Sequence, residues 1–162
     1  MSSPNIEEQT LRVGVISDTH GLLRPEALAA MQGSNVIIHA GDVGKPEILE
    51  ALESIAPTHT VRGNVDYDPW TERLPTTAAV EVGGASIFVV HNIEDLNIEP
   101  STAGFGMVVY GHSHKPAIEE EDDVVYLNPG SAGRRRFSLP VSVAHITVTG
   151  SEMKAVIQVL EV

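Results

Sequence analysis

The sequence contains no cysteine, which excludes a disulfide framework, thiolate catalysis and sulfur-ligated metals. Basic residues are also scarce. Ten Lys and Arg stand against 22 Asp and Glu, a formal net charge of −12 at pH 7. Wrapping nucleic acid requires a basic face, and so does adhesion to an anionic membrane. Neither partner is expected. No apolar run approaches the roughly 18 residues that a spanning helix needs, and Met1 to Thr10 lacks the basic and apolar regions of a signal peptide. A cytoplasmic location follows as the expectation. The 162 residues suit one domain with a substantial core. Residues 1–10 read as a flexible tail and 11–162 as that single domain.

The first half of the chain alternates apolar runs with helical patterns. Leu11 to Ile16, Asn35 to His39 and His59 to Val61 have the composition of buried strands. Pro25 and Pro46 each suit the first turn of a helix, and Ile48, Leu49, Leu52 and Ile55 share one helical face. Strands alternating with helices predict a parallel arrangement. Each strand then delivers polar residues from its carboxyl end: Asp18-Thr19-His20, Gly41-Asp42 and Gly63-Asn64. Open α/β sheets place their sites at such ends.

The second half is richer in hairpins. Ala78 to Val82 and Ser86 to Val90 flank a Gly83-Gly84 turn, and the second strand ends at His91. Ile93 to Gly106 is weakly patterned and reads as loop with one helical turn. Met107 to Tyr110 is a buried strand that breaks at Gly111 and presents His112 and His114. Past a strand end two such rings can turn toward one point. Hairpins follow around Asp122-Asp123 and Gly150-Ser151, and Asn128-Pro129-Gly130-Ser131 has a turn signature.

The strand ends together supply Asp18, His20, Asp42, Asn64, His91, His112 and His114. All are oxygen or nitrogen donors. They are too many for one tetrahedral ion and suit two divalent ions that share a bridging carboxylate. Paired metals of this kind catalyse in-line displacement at phosphorus.

The motifs Asp18-Thr19-His20, Gly41-Asp42, Gly63-Asn64, His91 and Gly111-His112-Ser113-His114, in this order, resemble those of the calcineurin-like metallophosphoesterases. Asn128-Pro129-Gly130-Ser131 is similar to a turn of that family's small bacterial and archaeal branch. The resemblance implies an α/β fold, a four-layer α-β-β-α sandwich of two packed mixed sheets. It implies that Asp18, His20 and His114 hold one metal, that Asn64, His91 and His112 hold a second, and that Asp42 bridges them. It also implies a phosphodiesterase activity in which a metal-bridging hydroxide attacks a small-molecule phosphoester. Mn²⁺ is the expected ion, with Fe, Zn²⁺ and Ni²⁺ as alternatives.

Two positions depart from the family pattern. Val65 stands where many members carry a His that protonates the leaving group, and a missing general acid typically costs about 10²–10⁴ in rate. Asp66 is the nearest substitute. Ile93 stands where the branch often has a further His. The related retromer subunit also lacks the leaving-group His, so a protein-binding scaffold of the same fold is the rival reading. Among the remaining residues, Arg135 or Arg136 of the Arg134 to Arg136 run could grip a phosphate. His39 reads as a core histidine, and Tyr67 and Trp70 read as packing or stacking groups. His59, His145 and Asp122-Asp123 receive no role. The chain's modest size and hairpin edges suit a homodimer.

Overall fold

In the strand Thr10–Ile16 (β1), Val13 and Val15 face one way, while Ile16 faces the other. This two-residue alternation is what a sheet with both faces covered demands. The structure, a computed structural model, describes residues 9–162. Positions 1–8 of the expected tail lie outside the described residues, and Thr10 already belongs to β1.

Two βα units follow β1. Helix α1, Pro25–Met31, buries Ala27 and Met31, and helix α2, Pro46–Glu53, buries Ile48, Leu49 and Leu52. Each opens with proline, whose missing N–H costs nothing in a first turn. The strands Val36–His39 (β2) and Thr58–Thr60 (β3) run parallel to β1. Near the C-terminus, Ser142–Thr149 (β9) pairs antiparallel with β1, and Glu152–Val159 (β10) pairs with β9. The first sheet therefore has the order β10-β9-β1-β2-β3.

The second sheet has the order β4-β5-β6-β8-β7, built from Thr77–Val82, Ala85–Val90, Met107–Val109, Val124–Asn128 and Ala117–Glu121 in that spatial sequence. Its three central strands β5, β6 and β8 are parallel, and β4 and β7 close the edges antiparallel. Both sheets are thus mixed, as the resemblance implied.

The sheets meet over one apolar core. Val13, Val15, Ile38 and Ile146 of the first face Ile87, Val89, Met107 and Leu127 of the second. Full burial of a side chain of this size contributes roughly 1.5–3 kcal/mol. A second cluster, with Ile16, Ile37 and Val143, joins α1 and α2 to the outer face of the first sheet. The fourth layer is thin. Phe88, Val90 and Val108 are covered by Ile93, Leu96, Ile98 and Phe105, from a segment holding a 3₁₀ turn at Ile93–Asp95 and a four-residue helix α3 at Pro100–Ala103. One further 3₁₀ helix, Pro69–Arg73, lies between β3 and β4. Trp70 packs there against the second cluster, while Tyr67 is 80% exposed.

The parallel strands β1, β2 and β3 end along one edge, and β5 and β6 run parallel in the other sheet. Ile146 is fully buried between the sheets. Ile146→Ala should cost about 2–5 kcal/mol of stability in a denaturant melt. Because no candidate ligand lies on β9, metal affinity measured by calorimetry should stay unchanged.

Candidate metal centre

The loops beyond the strand ends are bonded to one another before any side chain is considered. Asp18, His20 and Gly21 donate their N–H groups to the carbonyls of Gly41 (3.0 Å), Asp42 (2.9 Å) and Val43 (2.8 Å). Gly111 donates to His91 O (2.9 Å), and Ala132 donates to Ser17 O (3.0 Å). This backbone ladder extends the sheets past their last strand residues. It holds the loops in an unusual conformation. Asp18, His20, Asp42, His112 and His114 all have positive φ, between 46° and 72°. That region costs a side-chain-bearing residue on the order of 1–3 kcal/mol and persists only where the surroundings determine it. Here it turns the five side chains to one place.

Two glycines make the close approach feasible. A Cβ on Gly63 would collide with the Asp42 carboxylate and backbone, and one on Gly111 would collide with Ser17 Oγ and Asp18 Oδ2. Any side chain at either position would push the loops apart.

Seven side chains expected as ligands lie within this edge. Asp18 is fully buried, and its Oδ2 accepts from Ser17 Oγ (2.8 Å) and the His112 N–H (3.1 Å). Its Oδ1 is buried with no hydrogen-bond partner. Around Oδ1 stand the Nε2 atoms of His114 (3.5 Å), His20 (3.7 Å) and His91 (3.9 Å). Asp42 Oδ1 accepts from the Val65 N–H (2.9 Å), while Oδ2 lies 3.2 Å from His91 Nε2 and 3.6 Å from His20 Nε2. Asn64 Oδ1 lies 2.9 Å from His91 Nε2 and 3.0 Å from His112 Nδ1. His20 Nε2 and His114 Nε2 are 3.3 Å apart.

These contacts bring lone pairs together. His91 Nδ1 sits 2.7 Å from Ala40 O and must donate to it, so the neutral ring carries its lone pair on Nε2. That nitrogen faces the oxygens of Asn64 and Asp42, acceptors meeting an acceptor. The Asn64 amide can turn its NH₂ to this nitrogen, but toward the Asp42 carboxylate only a cation relieves the contact, either a proton or a metal ion. Donors held about 2.1 Å from an ion stand roughly 3.0–3.4 Å from one another, which is the range of the shortest contacts here. The orphaned Asp18 Oδ1 completes the fit. Two groups emerge, Asp18 with His20 and His114, and Asp18 with Asp42 and His91.

In the absence of metal, protons answer the same demand. The His20 pKa is raised, chiefly by its contact with Asp18 and then by the charge of Asp42, against the opposing effect of burial. For His91 burial is the largest single effect and lowers the pKa, but Asp42, Asp18 and the Ala40 carbonyl outweigh it and the value is raised. Burial likewise pushes Asp42 up, and His91, the Val65 N–H and His20 more than reverse it, so Asp42 is held low. His114 is lowered, first by burial, with Arg136 acting in the same direction.

Supporting residues surround the donors. His39 is fully buried, and burial pushes its pKa down to about 4. Its Nδ1 accepts from Gly41 N–H (3.1 Å), so Nε2–H donates to Thr19 Oγ1 (3.0 Å), whose hydroxyl donates to Val43 O (2.8 Å). The core histidine thus ties the Asp18-Thr19-His20 loop to the Asp42 loop. The Asn128-Pro129-Gly130-Ser131 turn does more than reverse the chain. Asn128 Nδ2 donates to Gly111 O and Ser113 Oγ (both 3.1 Å), and Ser131 Oγ donates to Asp18 O (3.0 Å). Its chemistry of one amide and one hydroxyl was the available signal for this positioning role.

Asp66 and the arginine run have contacts of their own. Asp66 is buried, and its carboxylate accepts backbone N–H groups from Gly63 (2.9 Å), Asp42 (3.0 Å), Val43 (3.0 Å) and Gly44 (3.3 Å). A carboxylate ringed by four donors acts as an acceptor and clamps two loops together; it is not placed as a proton donor. Arg135 reaches toward the carbonyls of Leu139 (3.4 Å) and Val162 (3.5 Å), away from the donors. Arg136 alone of the pair sits where its charge is felt at His20 and His114.

Comparison with known proteins gives a consistent answer. The family model described as "Calcineurin-like phosphoesterase superfamily domain" matches residues 11–151. A probable metallophosphoesterase of Methanothermobacter thermautotrophicus is 34% identical over 155 aligned residues, spanning 88% of this chain and 89% of that protein. The phosphodiesterase YfcE of Escherichia coli is 27% identical, spanning 78% and 82%. Among solved structures, Vacuolar Protein Sorting 29 of Cryptosporidium parvum shares the fold with a TM-score of 0.74 at 19% identity, spanning 92% of this chain and 97% of that one.

Two outcomes are expected. Protonated His20 and His91 stabilise the metal-free fold below the unfolded value of about 6.5, and this stabilisation is lost as pH rises through their raised folded values. A metal ion replaces those protons, so added Mn²⁺ should raise Tm more at pH 8 than at pH 6 in a thermal-shift assay. An equal rise at both would show that the ion is not bound by these imidazoles. Asp66→Asn should lower stability by about 1–3 kcal/mol, because an amide NH₂ would confront backbone donors. Chemical denaturation measures this directly.

Proposed function

Since the chain belongs to the calcineurin-like phosphoesterase superfamily, we propose that it is a binuclear metal-dependent phosphodiesterase acting on a small-molecule phosphoester. The observation that carries the reading is the orphaned Asp18 Oδ1 amid three imidazole nitrogens, a donor set that calls for cations. Asp18, His20 and His114 would hold one ion, and Asn64, His91 and His112 the other. Asp42, with Oδ2 between His20 and His91, would bridge. Mn²⁺ suits these donors, as do Fe, Zn²⁺ and Ni²⁺. When bound, such ions activate water as the nucleophile and neutralise charge on the phosphoryl oxygens.

The chain's own residues shape the rest. Asp18 and Asp42 offset half the charge of two divalent ions, which leaves the centre cationic inside an acidic protein. Asp66 and His39 keep the bridging loop and the Asp18-Thr19-His20 loop in register. Arg136 would add positive charge beside the phosphoryl group on the His20 and His114 side. Val65 is 38% exposed beside Asn64 and offers no proton. With Asp66 occupied by backbone donors, the leaving group departs without an acid from this loop. Esters of acidic alcohols such as phenols should therefore be the better substrates.

The rival reading is a protein-binding scaffold, and the likeness to Vacuolar Protein Sorting 29 supports it only at the level of fold. A scaffold has no need of a complete donor set with five of its members held in left-handed backbone, and every ligand position here carries a donor. Hydrolysis of bis-p-nitrophenyl phosphate with added Mn²⁺ tests the two. Wild type should turn over, EDTA should abolish it, and Asp42→Ala and Asn64→Ala should each lower kcat/KM by more than about 10²-fold. Bound metal without turnover would hand the function to the scaffold reading.

A further inference from the structure

A cavity of about 400 Å³ opens against the Asn64 and His91 side of the centre. Most of the residues around it carry a polar group. Arg62, Thr76, Thr77, Asn92, Asp95 and Asn97 all line it. The segment bearing three of them is built by the chain itself: Asn92 Oδ1 accepts the Glu94 N–H (3.0 Å), which leaves its Nδ2 free, and Asp95 N–H donates to Asn92 O (2.9 Å). Among the described residues, no side-chain hydrogen bond or ion pair engages Arg62, Asp95 or Asn97, although the cation and the anion share one cavity. Polar side chains around a concave space that have no protein partner are available to read a ligand by hydrogen bonds.

Charge and polarity narrow the ligand. One Arg and one Asp leave the walls without net charge, so a second phosphate would gain Arg62 but confront Asp95. An acyl chain would strand six polar side chains against hydrocarbon. A neutral group with several hydroxyls satisfies both. Asp95 accepts from a pair of neighbouring hydroxyls, and Arg62, Asn92 and Asn97 donate to ring and hydroxyl oxygens. The cavity volume accommodates a group of that size.

We infer that this cavity receives a sugar arm of the substrate, with Asp95 and Arg62 as specificity-determining residues. The inference rests on the phosphodiesterase reading for its substrate but not for its binding chemistry. The sugar could be a free hexose or the ribose of a nucleotide, since both present the same hydroxylated ring.

Calorimetric titration of the Mn²⁺-loaded protein with inorganic phosphate, glucose 6-phosphate and uridine 5′-monophosphate tests it, beside turnover of bis-p-nitrophenyl phosphate. The sugar phosphates should bind about tenfold or more tighter than inorganic phosphate, the scale of one charge-assisted hydrogen bond. Asp95→Ala and Arg62→Met should each erase most of that advantage. Tighter binding of the nucleotide would assign a nucleoside, and tighter binding of glucose 6-phosphate a free sugar. No advantage for either sugar phosphate, or an advantage that survives both substitutions, overturns the inference. Turnover without any sugar advantage would leave the hydrolase reading standing alone. A sugar advantage removed by the substitutions, in a protein without turnover, would sustain the cavity and remove the hydrolase.

Discussion

The whole edge of this molecule is arranged around a repulsion. The Nε2 atoms of three imidazoles lie 3.2–3.9 Å from the Asp18 and Asp42 carboxylates, and with neutral rings and no metal the His91 lone pair faces only other acceptors. Folding brings them together nonetheless, because the inter-sheet core and the loop-to-loop backbone bonds are formed by other residues. The apolar core thus supplies the free energy that holds an unfavourable polar cluster in place. What the cluster gains in return is a strong and specific demand for positive charge.

That division of labour explains the positions of the supporting residues. Asp66, His39, Asn128 and Ser131 do not reach into the cluster; they bind the backbone of the loops that carry it. Each is buried, so its hydrogen bonds are shielded from water and hold their geometry. Positive φ at Asp18, His20, Asp42, His112 and His114 is tolerable only because these clamps leave the loops no relaxed alternative.

Much of this was legible in the sequence. Buried strands announce themselves by Val and Ile runs, and the polar residues placed just after Ile16, His39 and Val109 could only lie along a sheet edge. Element boundaries moved by a residue or two, since hydrogen bonding and not composition ends a strand. What could not be read was anything that depends on which loops become neighbours. The amides that occupy Asp66 come mostly from a loop more than 20 positions away, so the residue looked available as an acid. Arg135 and Arg136 are adjacent in an irregular turn with no period to say which faces inward. The strand order β10-β9-β1, which threads the last hairpin beside the first strand, has no local signature either. The polar cavity beside Asn64 likewise draws its walls from three separate segments.

Asp42 Oδ2 stands between His20 on one side and His91 on the other, and Asp18 Oδ1 is near both. Two cations held by shared ligands in this way would not be independent. Filling one fixes the carboxylates, removes protons and also adds repulsion for the second ion. The difference between these effects is a coupling free energy, and by linkage it is the same whichever position fills first. Such a pair would therefore titrate as one cooperative or anticooperative unit, and a single apparent affinity would describe neither position.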